Sequence, residues 1–293
     1  MRTDIMMSLA LIGGFLGGSI ILYDADTTSR SEMFIQTPGF IVWFLLMTIQ
    51  AAFFSVVIAP LSNSIQQFEK YFINHKLEIG ISSLIFSILF SLPSGVPRSI
   101  YLSGESWPLD HHSIKVVIIS IAAYLTALVA VIGMQLINVG FRTISSNEII
   151  MNEAIHRYVE LQHHLQKYVA ILGGMIGLAI LSTGALRHSI IAVGINKDGF
   201  PNILILGYGL YFTLLVALVY IPTYFSSVIA AKKILNSAAP MTFKNLENGI
   251  EEFEKRKKLE VLMGAHSSFQ QSFATGVVIL LPLLSAITSV ILS

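Results

Sequence analysis

Cysteine is absent from the chain, which removes disulfides, thiolate metal sites, thiol nucleophiles and palmitoylation from its chemistry. Charge is scarce: Asp, Glu, Lys and Arg make up 12% of the 293 residues, about half the share of a soluble domain. No long apolar run holds an Asp or Glu, which argues against a proton- or sodium-coupled pump built on buried carboxylates. A phosphate-binding glycine loop and a G-x-S-x-G elbow are also missing. What remains is 54% hydrophobic, with a mean hydropathy of +0.73. This is a membrane composition, and its uncharged runs leave no stretch that could build a separate soluble core.

The expected fold is an all-α integral membrane protein, a polytopic bundle of about seven transmembrane helices forming a single domain over 1–293. The spans fall at about residues 5–23, 39–59, 79–92, 114–140, 168–190, 202–231 and 273–292, with cytoplasmic helical segments at 146–167 and 242–262. The first is read as a retained span and not a signal peptide, because it is long for one and Leu22-Tyr23-Asp24-Ala25-Asp26 is a poor cleavage site. Trp43 is expected at the membrane interface, near the start of the second span. The third run has 14 residues, from Ile79 to Leu92, and is expected to stop at Pro93; a re-entrant half-helix fits its length as well. Ser145 and Glu148 have the spacing of a capping box opening a mixed-polarity helix, which runs without a breaker into the fifth span.

The run from Phe200 to Ala231 carries no charge and would reach about 48 Å as a helix, against a hydrocarbon core of about 30 Å. Its many hydroxyls exceed what a lipid-facing anchor needs, so it is expected to be the central helix, bent at Pro222. Tyr220, Thr223, Tyr224 and Ser227 cluster around that bend and are expected to face protein or a cavity. With seven spans, Lys and Arg divide 13 against 5 between the two sides, which puts the N-terminus in the cytoplasm and the C-terminus outside, in a plasma or bacterial inner membrane. A re-entrant third run gives the less decisive split of 7 against 11.

Candidate functional residues follow from polarity inside the spans. Gln50, near the middle of the second span, needs a partner on a neighbouring helix. Ser83 and Ser87 belong to a small polar face of the third run. With Tyr220, Thr223, Tyr224, Ser227 and Arg187 they make up the pore or cavity candidates. For Arg187 the simpler account is a boundary anchor that snorkels outward. Gly13, Gly14, Gly17 and Gly18, and the pair Gly173 and Gly177, have the small-xxx-small spacing that lets helices approach closely.

The best metal-like pattern is His156, Glu160, His163 and His164, on one helical face and with an E-x-x-H spacing. It is similar to the histidine boxes of membrane desaturases and hydroxylases, but eight histidines scattered on both sides cannot fill three such boxes, and a solvated helix face is the plainer account. Asp110, His111 and His112 sit at the edge of the fourth span, where adjacent helical residues point in different directions and do not share one ion. Leu206-Gly207-Tyr208-Gly209 resembles a potassium-filter string only superficially, since a filter needs extended backbone and this tetrad lies in an apolar run that reads as helix.

The functional expectation is an uncoupled channel, pore or facilitator, working as an oligomer, with cytoplasmic helices for regulation or partner docking. A non-enzymatic scaffold or sensor for a soluble cytoplasmic partner is the alternative, and a metal-dependent enzyme on the His/Glu cluster a minor one. No cofactor is expected. The expected partners are the lipid bilayer, further copies of the chain as a homo-oligomer and a soluble cytoplasmic protein, with no nucleic acid.

Overall fold

The computed structural model describes residues 3–25, 28–67, 69–100, 109, 111–146, 151–194, 200–241, 246–264 and 269–291. Their regular structure is entirely helical: α1 (Thr3–Leu22), α2 (Ser29–Ile35), α3 (Pro38–Gln67), α4 (Glu69–Ile100), α5 (His112–Ser146), α6 (Met151–Ala192), α7 (Asn202–Ala238), α8 (Leu246–Leu262) and α9 (Phe269–Ile291). Six of these, α1 and α3 to α7, are long and apolar enough to cross a membrane. The apolar stretch of α9, Thr275–Ile291, is shorter.

Local chemistry sets several boundaries. Thr28 and Ser31 cap α2 reciprocally, each backbone N–H donating to the other's hydroxyl at 2.9 and 3.1 Å. Thr37 accepts from the Phe40 N–H at 3.1 Å, and Pro38, whose missing N–H costs nothing in a first turn, opens α3. α4 continues past Pro93 and Pro97 to Ile100, and its break lies instead at His75 (φ −127°, ψ 24°). The expected stop at Pro93 is therefore corrected: proline is tolerated in a membrane helix where other groups take up the freed carbonyl.

Side-chain pairings order the helices. α1 and α3 run antiparallel, and a Cβ on Gly13 or Gly17 would overlap Ser55 or Ala51. α3 lies antiparallel to α6 through the Gln50 amide, which donates to the Leu178 carbonyl at 3.2 Å. α6 and α9 run parallel, with Gly173 on Val278 and Gly184 on Ser289, while α7 crosses α9 antiparallel at Gly209 and Ala286. α5 packs on α6 through Phe141 and Tyr158, whose ring centroids are 5.5 Å apart, and on α7 through Ser226, which donates to Asn138 Oδ1 at 2.6 Å. Arg142 of α5 pairs with Glu78 of α4. One end of the bundle thus collects Arg142, Arg157, Lys232 and Arg256; it is called the basic end below.

The central helix is α6 and not α7. Of its membrane window 56% is buried, against 33% for α7. The reason is a stripe on α7 formed by Leu210, Leu214, Leu218, Ile221, Phe225 and Ile229, all exposed and recurring every three to four residues, which the described bundle leaves uncovered. At 42 residues α6 reaches about 63 Å, and a tilt of about 40° would still leave roughly 48 Å along the bilayer normal. It outruns a core of about 30 Å at any ordinary tilt.

Candidate functional site

At the basic end α6, α7, α8 and α9 leave between them a cavity of about 500 Å³. α6 contributes Tyr158, Gln162 and Gln166, spaced four apart on one face, and Gln162 donates to the Tyr158 hydroxyl at 2.8 Å. α7 contributes Tyr220, Tyr224 and Ser227 from the Pro222 region, then Lys232. The Tyr220 and Tyr224 rings stack with centroids 5.7 Å apart and planes at 28°. α8 covers the cavity with Arg256 and Glu260, paired at 3.4 Å, and Arg256 also donates to Asn236 Oδ1 at 3.1 Å. Thr275, Gly276 and Ile279 of α9 close the remaining wall. Glu260 is the one carboxylate among the described residues of this lining, and it is already engaged by a guanidinium.

A second cavity of about 390 Å³ lies at the opposite end, between α3, α6 and α9. It is lined by Val42, Leu46, Leu181 and Ala185, with His188 and Ser289 as its polar side chains. The Ser289 hydroxyl is buried and has no hydrogen-bond partner among the described residues, as is true of Ser182 and Thr213. In an apolar interior such a hydroxyl costs free energy unless water or a solute meets it.

The polar residues of the Pro222 region divide between two neighbours. Tyr220, Tyr224 and Ser227 line the first cavity, whereas Thr223 is fully buried and its hydroxyl faces the Met134 carbonyl at 3.4 Å. Gln50, Ser83, Ser87 and Arg187 line neither cavity. Ser87 donates to the Ser83 carbonyl at 2.7 Å, and the Ser83 hydroxyl is buried without a partner among the described residues. Arg187 is only 6% exposed and donates from Nε to the Phe200 carbonyl, so it does not reach outward as a snorkelling anchor would. It ties the end of α6 to the start of α7.

The remaining candidates serve packing or lie on a surface. Gly14 and Gly18 sit against Thr48 and Phe44, and Gly177 faces Ser285 and Leu281. His156, Glu160 and His163 are exposed and His164 is half-buried near Tyr168, with the His163 and His164 rings 6.0 Å apart at 75°. Among the described residues no three His, Asp or Glu side chains form a metal-binding group. Asp110 lies outside the described residues. The Leu206 to Gly209 tetrad is helical, within α7.

Sequence reasoning missed Gln162, Gln166, Arg256 and Gly276 as cavity residues. The i, i+4 recurrence of Tyr158 and Gln162 was a usable signal; the cover supplied by α8 had none, because it depends on how a loop returns the chain. Two further groups are enclosed by the bundle. Lys115 is 3% exposed, with its ammonium on the carbonyls of Ile21, at 3.2 Å, and Tyr23. Trp43, expected at the interface, is 1% exposed and stacks on His112 with ring centroids 5.4 Å apart. A scan against protein-family models, a search of curated proteins and a search of solved structures each returned no match.

Proposed function

We propose that the chain is an uncoupled membrane facilitator whose path follows the contact between α6 and α9. What carries this reading is that both cavities are bounded by the same two helices, one at the basic end through Tyr158 and Thr275, the other at the opposite end through His188 and Ser289. Between them the helices touch at Gly173 and Gly177. Ile279 and Ser289 are about ten residues apart on α9, roughly 15 Å. Separation of α9 from this glycine face would join the cavities, and the Ser289 hydroxyl would then gain the partner it lacks. The single carboxylate among the described residues of the lining, held by Arg256, favours uncoupled passage over proton coupling.

In this proposal α9 is a seventh crossing, the N-terminus and the basic end face the cytoplasm, and copies of the chain meet through α4, whose membrane window is only 11% buried. The test is flux of glycerol and of monovalent ions into liposomes carrying the purified protein. Flux above that of empty liposomes, lowered several-fold by Ala185→Phe in the second cavity, is expected. Liposomes that stay sealed at high protein loading would sink the proposal.

A second reading, a scaffold or sensor docking a soluble cytoplasmic protein, is favoured by α8. This helix is rich in charge, yet it exposes Ile250, Phe253, Val261 and Leu262. Under that reading Phe253→Asp abolishes co-purification of a defined soluble protein while leaving the bundle's unfolding temperature unchanged. Retention of the same protein by the variant speaks against docking there.

A further inference from the structure

The cavity at the basic end combines three properties that narrow its ligand. Its volume of about 500 Å³ falls in the range of sites that enclose small organic molecules, about 300 to 1,000 Å³. Its walls are divided by polarity: Leu165, Val228, Leu235 and Ile279 offer an apolar side, and Gln162, Gln166 and Ser227 offer amides and a hydroxyl. Its charges are divided too. Arg256 is occupied by Glu260 and Asn236, so among the described residues the lining cation left to meet a ligand is Lys232, which is exposed.

Depth adds to this. Phe225 and Ile229, the last members of the lipid-facing stripe of α7, are 61% and 58% exposed, and Lys232 follows within one turn. Lys232 therefore stands where apolar surface gives way to the headgroup layer, with the stacked Tyr220 and Tyr224 rings two to three turns deeper. A cation would be repelled at this mouth. A neutral sugar would leave the apolar wall uncovered, and a bare inorganic anion would fill only the rim.

We propose that this cavity binds an anionic amphiphile, its charged head on Lys232 and its apolar body along Tyr220, Tyr224 and Ile279. The proposal does not rest on the transport reading. The same chemistry has two sources, an anionic lipid of the bilayer or a free amphiphile from the aqueous side.

The test uses the full chain in phosphatidylcholine nanodiscs with radiolabelled dodecyl phosphate, and with dodecanol and inorganic phosphate as comparison probes. Dodecyl phosphate is expected to bind saturably and more tightly than dodecanol, and inorganic phosphate not at all. Lys232→Gln, at an exposed position that packing does not constrain, weakens dodecyl phosphate about fivefold and leaves dodecanol unchanged. Gly276→Phe abolishes binding of both, because Gly276 lines the cavity and a Cβ there meets no described residue within 4 Å, which leaves room for the ring to fill the site. Displacement of the probe by phosphatidylglycerol added to the discs identifies the bilayer as the source, and resistance to displacement identifies a free amphiphile. Equal binding of the phosphate and alcohol probes, or an unchanged affinity in Lys232→Gln, overturns the proposal. Ala185→Phe, in the other cavity, leaves binding intact, so saturable binding without flux would sink transport alone, and flux without saturable binding would sink this site alone.

Discussion

α6 and α7 are both long, largely apolar helices, and by freedom from charge α7 is the better membrane span. Yet α6 is surrounded by α3, α5, α7 and α9, whereas α7 leaves a full apolar stripe uncovered. The difference lies in side-chain size. α6 places Gly173, Gly177 and Gly184 along one face so that α9 can approach it, while α7 meets α9 closely at Gly209 and a Cβ built at its Gly207 meets nothing within 4 Å. Where no hydrophobic force drives helices together in lipid, close backbone approach decides which helix is enclosed.

Paired substitutions on the two helices test this contrast, read as unfolding free energies in micelles. The largest effect is expected for Leu172→Ala, which empties a fully buried position on α6 and costs about 2–5 kcal/mol. Leu214→Ala on the α7 stripe, 61% exposed, stays within about 0.5 kcal/mol. Comparable losses at the two sites would erase the distinction.

Gly173→Ala comes next, since its Cβ would stand 2.5 Å from the Val278 carbonyl oxygen, a backbone atom with little room to give. A loss of about 1–3 kcal/mol is expected. Gly207→Ala, with open space around it, gains up to about 1 kcal/mol from the better helix former. Opposite signs at two glycines of neighbouring helices would be hard to obtain from any general effect of composition.

The smallest effect is Gln50→Leu, which removes the amide bond to Leu178. Interhelical hydrogen bonds in membranes average about 0.6 kcal/mol, so a loss of that order is expected. A loss several times larger would mean that Gln50 holds α3 to α6 through more than this one bond.

Composition alone made the membrane class legible, and the absence of a breaker between Met151 and Ala192 marked one very long helix. Helix neighbours were not legible, because a stripe of leucines on α7 and a stripe of glycines on α6 gain meaning only from the surfaces opposite them. The site divides in the same way. Tyr220, Tyr224 and Ser227 could be singled out as polar residues near a proline, but Lys232, Arg256 and Gly276 join them only once α8 and α9 return to the same end. The partners of Lys115 were not legible for a related reason: they are main-chain carbonyls, which leave no trace in residue identity.

That lysine also bears on the order of assembly during synthesis. Lys115 follows Ile21 by 94 residues, so at translation rates of about 5–20 residues per second the end of α1 waits roughly 5–20 s for its ammonium. Through that interval α1 can be held along its length by α3 while its terminal carbonyls depend on water. That end of α1 is thus tied only once the start of α5 is made, and ribosome-arrested chains ending before and after Lys115 should differ in how readily the segment after Leu22 is cut by protease.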